Sequence, residues 1–521
     1  MRNILYCLLF LPFVLYSQYG ILDDTFGNNG IAIHENNLPN EVNGRWSMAM
    51  TIDQNQNIFT GTNYNYSPDL TAFNDNILIG KFFPDGQLNT AFADNGFKKI
   101  NISNGLIYVY DILTSHDNYI YVLGGVFLNA SNERKALVIK LDTDGNFVSG
   151  FGNNGMAFFS IEGGANTSSF LETHEHEFVI GGNYSRNDTG TPGLYLMKIN
   201  ANGDLVSSFG NGGILKYNYS NFDVLRDLKL NPDGSLIVLD YILDNQGAYN
   251  YVLAKFNSNG TLDTSFNQSG TRVIPLSEGN LYDFSSIELK PDGKILYSAN
   301  NLVGTVYWME ITEFMPDGTV NFNFGNNGTV STHLENLVSG NFTQYQRTFK
   351  VTPDGQHLIQ IGFALENNEP YTKFVLLGLD GNGNYDSQFG NNGVTLTKIH
   401  PSLHDEPTKA TFIGNDRLLV LNGTHLSLAC YKIYEGLSIE EISVNSKIQI
   451  APNPTSNSFV IKGLSRNKNQ VQILDFSGIM IREFSGISDN QMLDLGLIPK
   501  GIYLIRIQSE GFVETKKLIV K

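Results

Sequence analysis

Asp24-Thr25-Phe26-Gly27-Asn28-Asn29-Gly30 is the first copy of a short motif that recurs along this chain of 521 residues. Successive copies lie between 57 residues (Phe209 to Phe266) and 66 residues (Phe26 to Phe92) apart. A fixed signature at a period of about 60 residues indicates an array of structural repeats. Each copy centres on a phenylalanine, which we expect to be a buried structural residue; the seven are Phe26, Phe92, Phe151, Phe209, Phe266, Phe324 and Phe389.

Each repeat holds four short strand-like segments separated by turns. Around Phe266, Asn231-Pro232-Asp233-Gly234 follows the first segment and Ser258-Asn259-Gly260 follows the third. Proline fixes φ and glycine accepts a positive φ, so both stretches are typical of tight turns. The predicted strands of this repeat are Asp223–Leu230, Leu236–Asp240, Tyr251–Phe256 and Thr271–Pro275.

The two ends of the array complement each other. The last repeat stops at its third strand near Tyr434, and the N-terminal segment Thr25–His34 carries the missing motif and strand. An open solenoid would need capping repeats with polar outer faces, and neither end shows one. Four-stranded sheets repeated radially make a β-propeller. The sequence therefore predicts an all-β, seven-bladed β-propeller with four strands per blade, closed by the N-terminal strand.

The turn and the motif together resemble a known repeat family. Asn259-Gly260-Thr261-Leu262-Asp263-Thr264-Ser265-Phe266 is similar to the signature of the delta-60 repeat family, and the resemblance covers about Gly20–Glu435. It implies a propeller fold. It assigns no catalytic residues.

The N-terminus has the composition of a secretory signal peptide. Met1-Arg2-Asn3 supplies one positive charge, Ile4–Tyr16 is apolar, and Ser17 is small. Such a stretch is too short to cross about 30 Å of hydrocarbon as a helix, so we predict cleavage and no transmembrane segment afterwards. The predicted divisions are residues 1–17 (signal peptide), 18–435 (propeller), 436–446 (polar linker) and 447–521 (a C-terminal domain).

Short alternating strands after residue 447 predict a small immunoglobulin-like β-sandwich. This unit resembles the type A sorting domain of the type IX secretion system. The matching residues are Pro452, Asn453, Pro454, Asp475, Gly478, Gly501, Tyr503, Lys516, Lys517 and Lys521. The resemblance implies the type IX secretion machinery as a partner, passage through the periplasm, and a final place on the outer cell surface or outside the cell. In that family the domain is usually removed and the protein attached to a surface lipopolysaccharide.

Net charge and cysteine content bear on the partners and chemistry of the chain. The formal net charge of −17 argues against nucleic acid as a partner, because neutralising phosphates requires a basic face. Once Cys7 is removed with the signal peptide, Cys430 is the remaining cysteine and we expect it to be a buried apolar residue.

Three stretches have spacings that suit a metal site. Asp380-Gly381-Asn382-Gly383-Asn384-Tyr385-Asp386 has the oxygen-ligand spacing of a calcium loop, with Asp142–Asn146 a shorter version, but both lack the sixth-position glycine and the closing glutamate. His174-Glu175-His176-Glu177 places two histidines at chelating spacing, with no third ligand evident in the sequence. We predict plain turns, no metal site and no cofactor, with calcium as the alternative.

The sequence favours a secreted binding or adhesion propeller for an unknown extracellular ligand, a glycan or a protein. Catalysis stays open, and the alternatives are a structural surface component or a polysaccharide-degrading hydrolase or lyase. Carboxylates and histidines converging in the central channel would favour an enzyme, and a featureless channel would favour the structural alternative. Candidate recognition loops are Asn63–Asp75, Asn129–Lys135, Asn183–Gly193, Asp244–Asn250 and Glu366–Thr372. Aromatic rings on them that can stack on sugars are Tyr64, Tyr66, Tyr184, Tyr249 and Tyr371.

Overall fold

The chain divides into two compact units, Met1–Gly436 and Leu437–Lys521. The computed structural model describes residues 19–34, 43–65, 75–102, 105–128, 131–186, 190–244, 246–276, 285–304, 306–367, 369–433, 448–455, 457–464, 469–474, 480–496, 498, 501–509 and 512–520. The predicted signal peptide and linker lie outside these residues. The helical pieces within them are two 3-10 turns, Phe266–Gln268 and Leu334–Asn336. None of the described helices is long and apolar enough to span a bilayer.

The described part of the first unit consists of antiparallel sheets. Sheet 1 contains Asn43–Ile52, Ile58–Asn65, Asp75–Phe82 and Phe97–Ile100. Sheet 2 contains Gly105–Thr114, Ile120–Leu128, Glu133–Leu141 and Met156–Ser160. Sheet 3 contains Asn166–Glu172, Phe178–Ser185, Pro192–Ile199 and Ile214–Tyr217. Sheet 4 contains Asp223–Leu230, Leu236–Leu243, Tyr249–Phe256 and Thr271–Pro275.

Three further sheets follow along the chain. Sheet 5 contains Ser286–Leu289, Ile295–Val303, Val306–Phe314 and Thr329–Thr332. Sheet 6 contains Phe342–Val351, His357–Glu366, Lys373–Asp380 and Val394–Thr397. Sheet 7 contains Pro407–Ile413, Arg417–Asn422 and Ser427–Lys432, completed by Ile21–Leu22 and Ile31–Ile33. Sheets 1 to 6 have the four strands per repeat that the sequence predicts.

The N-terminal segment completes the last sheet. Ile21 pairs with Lys432, and Ile31 pairs with Ala429, both in antiparallel register. The first strand of each sheet packs against the first strand of the next, and that of sheet 7 packs against that of sheet 1. The first strands therefore form a closed inner cycle, and the predicted pairing of the N-terminal strand is confirmed.

The middle strands of the sheets are buried on both faces. Residues 120–126 in sheet 2 and residues 193–199 in sheet 3 are buried without a break. Each sheet packs between two neighbours, so its central strands need apolar side chains on both sides. This explains the continuous hydrophobic runs within each repeat.

The repeated phenylalanine lies at the junction between consecutive sheets. All seven copies are buried. The ring of Phe209 in sheet 3 lies against Gly260 in the turn of sheet 4, where a Cβ atom would come within 3.2 Å of the ring. The backbone N–H of Gly210 donates to the carbonyl of Asn259 at 2.9 Å. Gly260 has a φ of +86°, so the turn needs glycine for its backbone as well as for the space.

The closing junction repeats this arrangement. The ring of Phe389 in sheet 6 lies against Gly20, and the N–H of Gly390 donates to the carbonyl of Tyr19 at 2.7 Å. Tyr19 and Gly20 thus supply to sheet 7 the contact that an internal turn supplies elsewhere. One motif joins consecutive sheets, including the last junction.

We expect Phe324→Ala to lower the free energy of unfolding by roughly 3–5 kcal/mol, because a buried aromatic ring is lost and a cavity remains. Phe322→Ala is the matched control, since Phe322 lies two residues earlier and is 72% exposed. Surface substitutions of this kind change stability by about 0.5 kcal/mol or less. Urea unfolding of the mature protein measures both. Equal midpoints for the two variants would contradict the packing role of the motif.

The second unit contains two antiparallel sheets around one apolar core. One sheet has the order Gln449–Ala451, Ser458–Lys462, Met492–Asp494, and the other has the order Met480–Ile487, Asn469–Leu474, Gly501–Ser509, Phe512–Val520. Phe459 and Ile461 from the first sheet share a core with Val471, Ile505 and Leu518 from the second. The unit therefore has its own hydrophobic core.

Candidate functional site

The two ends of the first unit differ in what they present. Neighbouring strands are antiparallel, so the starts of the first strands and the connections between second and third strands lie at one end, here named the loop face. The opposite end, the turn face, carries the turns between first and second strands and the phenylalanine motif. The described ends of the recognition loops predicted from the sequence lie at the loop face.

Three aromatic rings of sheet 4 form what we name the aromatic shelf: Phe222, Tyr241 and Tyr249. Tyr241 pairs with Tyr251 across the strands, so Tyr249, two residues before Tyr251, lies diagonally beside Tyr241 on the same side of the sheet. The Tyr241 and Tyr249 rings are nearly parallel, at 3° and 5.1 Å between centroids. Phe222 meets them edge-on at 6.4 and 6.3 Å.

The shelf is open to solvent and carries a cation. Tyr249 is 47% exposed, whereas Phe222 and Tyr241 are half-buried. The Arg226 guanidinium lies over the Tyr241 ring, 5.0 Å from its centroid. A flat aromatic surface beside a guanidinium suits a ligand with both an apolar face and polar groups.

A second aromatic group crosses from sheet 5 to sheet 6. Tyr345 lies 4.9 Å from Tyr307 and 5.3 Å from Phe363, measured between ring centroids. Arg347 lies over Phe363 at 5.1 Å and bonds Glu406 at 2.5 Å. The rings of Tyr307, Tyr345 and Phe363 are all half-buried, so this second group exposes less aromatic surface than the shelf.

The inner cycle of first strands carries a network of ion pairs. Glu288 bonds Lys350 at 2.6 Å and Lys229 at 3.4 Å. Asp227 lies 3.6 Å from Lys229, and the first strands of sheets 2 and 7 meet through Asp111 and Lys409 at 3.1 Å. Three carboxylates are thus matched by three lysines.

The charges of this network favour ion pairing over acid–base chemistry. Burial raises the pKa of Glu288, but Lys229 and Lys350 outweigh it and leave that pKa below its usual value. Burial likewise opposes the charge of Lys229, and Asp227 and Glu288 raise the pKa of that lysine. A general acid in glycoside hydrolysis needs a raised carboxyl pKa. The network contains no histidine, so it is not the cluster of carboxylates and histidines expected of an enzyme. It is also charged, so the channel is not the featureless one expected of a structural component.

The turn face holds a cluster that the sequence did not predict: His116, Glu172 and His176. His116 lies in the turn after the first strand of sheet 2, Glu172 ends the first strand of sheet 3, and His176 lies in the turn that follows. The Nδ1 atoms of His116 and His176 lie 2.5 and 3.2 Å from Oε1 of Glu172. These three residues offer ligand atoms within 4.8 Å of one another.

The histidine tetrapeptide is a turn, as predicted, but its two histidines do not act together. His176 joins the cluster, whereas His174 is exposed on its own and reaches toward Gly234 of sheet 4. His116 does not stand out in the sequence because its turn departs from Pro-Asp-Gly. Its place in the same turn of the preceding repeat was the available signal.

The two calcium-like loops use their carboxylates internally. Asp380 accepts hydrogen bonds from the backbone N–H groups of Asn382 and Asn384, both at 2.8 Å, and from the Asn384 side chain at 2.9 Å. Asp142 accepts the same three bonds in its own loop. This is the hydrogen bonding of ordinary aspartate turns.

The predicted loop tyrosines differ in solvent exposure, and the prediction of an exposed ring was wrong for two of them. Tyr64 and Tyr184 are buried, because the second strands of sheets 1 and 3 continue through them. Tyr249 is exposed, and Tyr371 is half-buried with Lys398 over its ring at 5.2 Å. Tyr66 lies outside the described residues.

The predicted sorting residues before Ser458–Lys462 contact the last strand of the second unit. The Asn453 side chain accepts a hydrogen bond from the backbone N–H of Ile519 at 2.9 Å, and Thr455, just after Pro454, donates to the Ile519 carbonyl at 2.8 Å. Pro452 precedes them in the same connection, Gly501 and Tyr503 lie on Gly501–Ser509, and Lys516 and Lys517 lie on Phe512–Val520. Asp475, Gly478 and Lys521 lie outside the described residues.

Two family models match parts of the chain. Residues 449–521 match the secretion system C-terminal sorting domain, and residues 231–266 match a β-propeller domain of unknown function, DUF5122. The chain therefore combines propeller repeats with a type IX sorting domain. That domain directs export to the cell surface or the extracellular space.

The similar solved structures have low sequence identity and low TM-scores. The β-propeller domain of the Trilobed protease from Pyrococcus furiosus is 10% identical, with a TM-score of 0.35, 75% of this chain covered and 95% of that one. Polysaccharide lyase Uly1 is 9% identical, with a TM-score of 0.38, 75% and 90% covered. Drosophila Plexin A, in complex with Semaphorin 1b, is 8% identical, with a TM-score of 0.39, 75% and 86% covered. No curated protein sequence matches the chain.

Proposed function

We propose that this secreted chain is a seven-bladed propeller that binds carbohydrate at the cell surface through the aromatic shelf of sheet 4. The observation that carries the proposal is the parallel Tyr241–Tyr249 pair, open to solvent at the loop face. Aromatic faces pack against the apolar faces of sugar rings, and tyrosine adds a hydroxyl for hydrogen bonding. Phe222 and Arg226 extend the shelf with a further ring and a donor group.

The closed cycle of first strands supports the blade number. Each of the seven motif copies lies at one junction between sheets. The N-terminal segment supplies the copy at the junction between sheets 7 and 1. We also propose residues 1–17 as a cleaved signal peptide, 18–435 as the propeller, 436–446 as the linker and 447–521 as an immunoglobulin-like sandwich. The last assignment rests on two sheets around one core.

Binding is preferred to polysaccharide cleavage because of the channel. Its carboxylates are paired with lysines, and the pKa of Glu288 is lowered where an acid catalyst requires a raised one. A ligand held at the shelf would contact side chains that bind and orient without proton transfer. The proposed function is therefore recognition or adhesion.

A glycan array probed with the mature protein tests the proposal. We expect Tyr249→Ala and Tyr241→Ala each to weaken binding about fivefold, because loss of a stacking ring removes on the order of 1 kcal/mol. Phe322→Ala removes an exposed aromatic ring at the turn face and should bind like the parent protein. Carbohydrate binding that survives both tyrosine substitutions would move the site away from the shelf. The absence of any glycan ligand would overturn the carbohydrate assignment.

A further inference from the structure

Two imidazoles and one carboxylate converge at the turn face from consecutive sheets. The His116 and His176 rings stack at 3.2 Å between centroids with 17° between planes, and both direct Nδ1 at the same oxygen of Glu172. The two histidines stand 60 residues apart in sequence, one repeat length, so the contact arises only when sheets 2 and 3 pack. The arrangement places three nitrogen and oxygen ligand atoms within 4.8 Å of one another.

The donor set is one that zinc takes in proteins. Two histidines and one glutamate are a known zinc ligand set, with water in the remaining position. Bonds of about 2.1 Å in a tetrahedral site place ligand atoms about 3.4 Å apart. The Nδ1 atom of His176 is 3.2 Å from Glu172 Oε1, and that of His116 is 2.5 Å from it. Opening the second contact by about 1 Å would therefore admit the ion.

Hydrogen bonds around the cluster involve all three ligand residues. Oε2 of Glu172 accepts the backbone N–H of His116 at 3.0 Å, which leaves Oε1 directed at the rings. The His116 carbonyl accepts Nε2 of Gln54 at 2.6 Å. The backbone N–H of His176 donates to Thr173 at 3.0 Å, closing its turn. Such supporting hydrogen bonds hold metal ligands in place.

The rings remain accessible and movable. The His116 and His176 side chains are 45% and 51% exposed, so the stacked rings can splay to direct both lone pairs at one ion. The flanking carboxylates have other partners: Glu177 pairs with Lys198 at 2.6 Å, and Asp117 lies 3.8 Å from Lys140. Glu172 is the carboxylate left to the two histidines.

We propose that His116, Glu172 and His176 bind a divalent transition cation of the zinc class and that this ion links sheets 2 and 3 at the turn face. The ion would join two neighbouring repeats through side chains, beside the backbone junction that the phenylalanine motif makes. Because it binds the folded state, it should raise the melting temperature. This site is separate from the aromatic shelf and from the sugar binding proposed there.

The test uses the mature protein without a polyhistidine tag, treated with EDTA and dialysed. Titration with ZnCl₂ in a calorimeter should show one saturable site per chain, and excess zinc should raise the melting temperature. His116→Ala and His176→Ala should each weaken zinc binding at least tenfold and abolish the thermal shift. Titration with Co²⁺ should give visible absorption bands that both substitutions remove.

His174→Ala is the matched control, because His174 is exposed in the same turn and lies outside the cluster. It should bind zinc like the parent protein. Equal weakening by His174→Ala and His176→Ala would assign the ion to that pair of turn histidines and overturn the three-residue site. The absence of saturable zinc binding by the parent protein would also overturn it. Melting curves without zinc should coincide for all variants, which separates ligand loss from misfolding.

Discussion

Deleting residues 19–34 should make the protein aggregate or melt far below the full mature chain. Backbone hydrogen bonds join Asp23 to Cys430 at 2.8 Å and Cys430 to Gly30 at 2.9 Å, and all of them would be lost. The third strand of sheet 7, Ser427–Lys432, would become an exposed edge that can pair with another chain. The junction between Phe389 and Gly20 would also be lost.

The soluble fraction after expression and the melting temperature measure this effect. Asp24→Ala is the control, because Asp24 is an exposed residue of the same segment whose carboxylate bonds Lys432 at the surface. It should leave solubility and melting unchanged. A permutant that joins residue 433 to residue 19 through a short turn and begins at residue 43 should restore both. Wild-type melting of the deletion protein would mean that the N-terminal pairing does not hold the ring.

Deleting residues 512–521 should abolish surface display. This removes the strand Phe512–Val520, which pairs with Gly501–Ser509 along its whole length and contributes Leu518 to the core of the second unit. It also removes the partner of Asn453. The truncated protein should still enter the periplasm through its predicted signal peptide and accumulate there, since the type IX machinery would no longer find an ordered sorting domain.

Cell fractionation and protease accessibility decide the outcome. A strain without type IX secretion is the control, and in it both forms should remain in the periplasm. The melting of the propeller itself should be unchanged, because the two units have separate cores. Surface display of the truncated protein at the full-length level would mean that the last strand is not required for export.

The sequence predicted the parts of the fold that are encoded locally and repeated. Each copy of the phenylalanine motif contains its own turn signals, so four strands per repeat followed directly, and the missing strand of the last repeat indicated its N-terminal partner. Tyr64 and Tyr184 were placed in loops because strand ends depend on packing, which turn residues nearby do not reveal. Tyr249 was identified as a candidate, but its pairing with Tyr241 needed the strand register.

The candidate sites were harder to predict because their residues come from different repeats. His116 and Glu172 are 56 residues apart in sequence. Glu288 and Lys350 are 62 apart. Neither pair follows a local pattern, since each forms only when the first strands and turns of neighbouring sheets pack together. Such pairs can be found by aligning the repeats by position. In that alignment, the turn that contains His174 and His176 in the third repeat corresponds to the turn that contains His116 in the second.

The pairing of the N-terminal segment with sheet 7 also determines when the ring can close during synthesis. The surface pair between Asp24 and Lys432 spans 408 residues, so the first strand must wait for nearly the whole propeller to be synthesised. At 5–20 residues per second the delay is roughly 20 to 80 s. Through that interval the ring stays open and the N-terminal strand has no partner. A chain that crosses the inner membrane unfolded, as the predicted signal peptide implies, gains from this delay, because the contact that closes the ring is the last one of the first unit that the ribosome makes available.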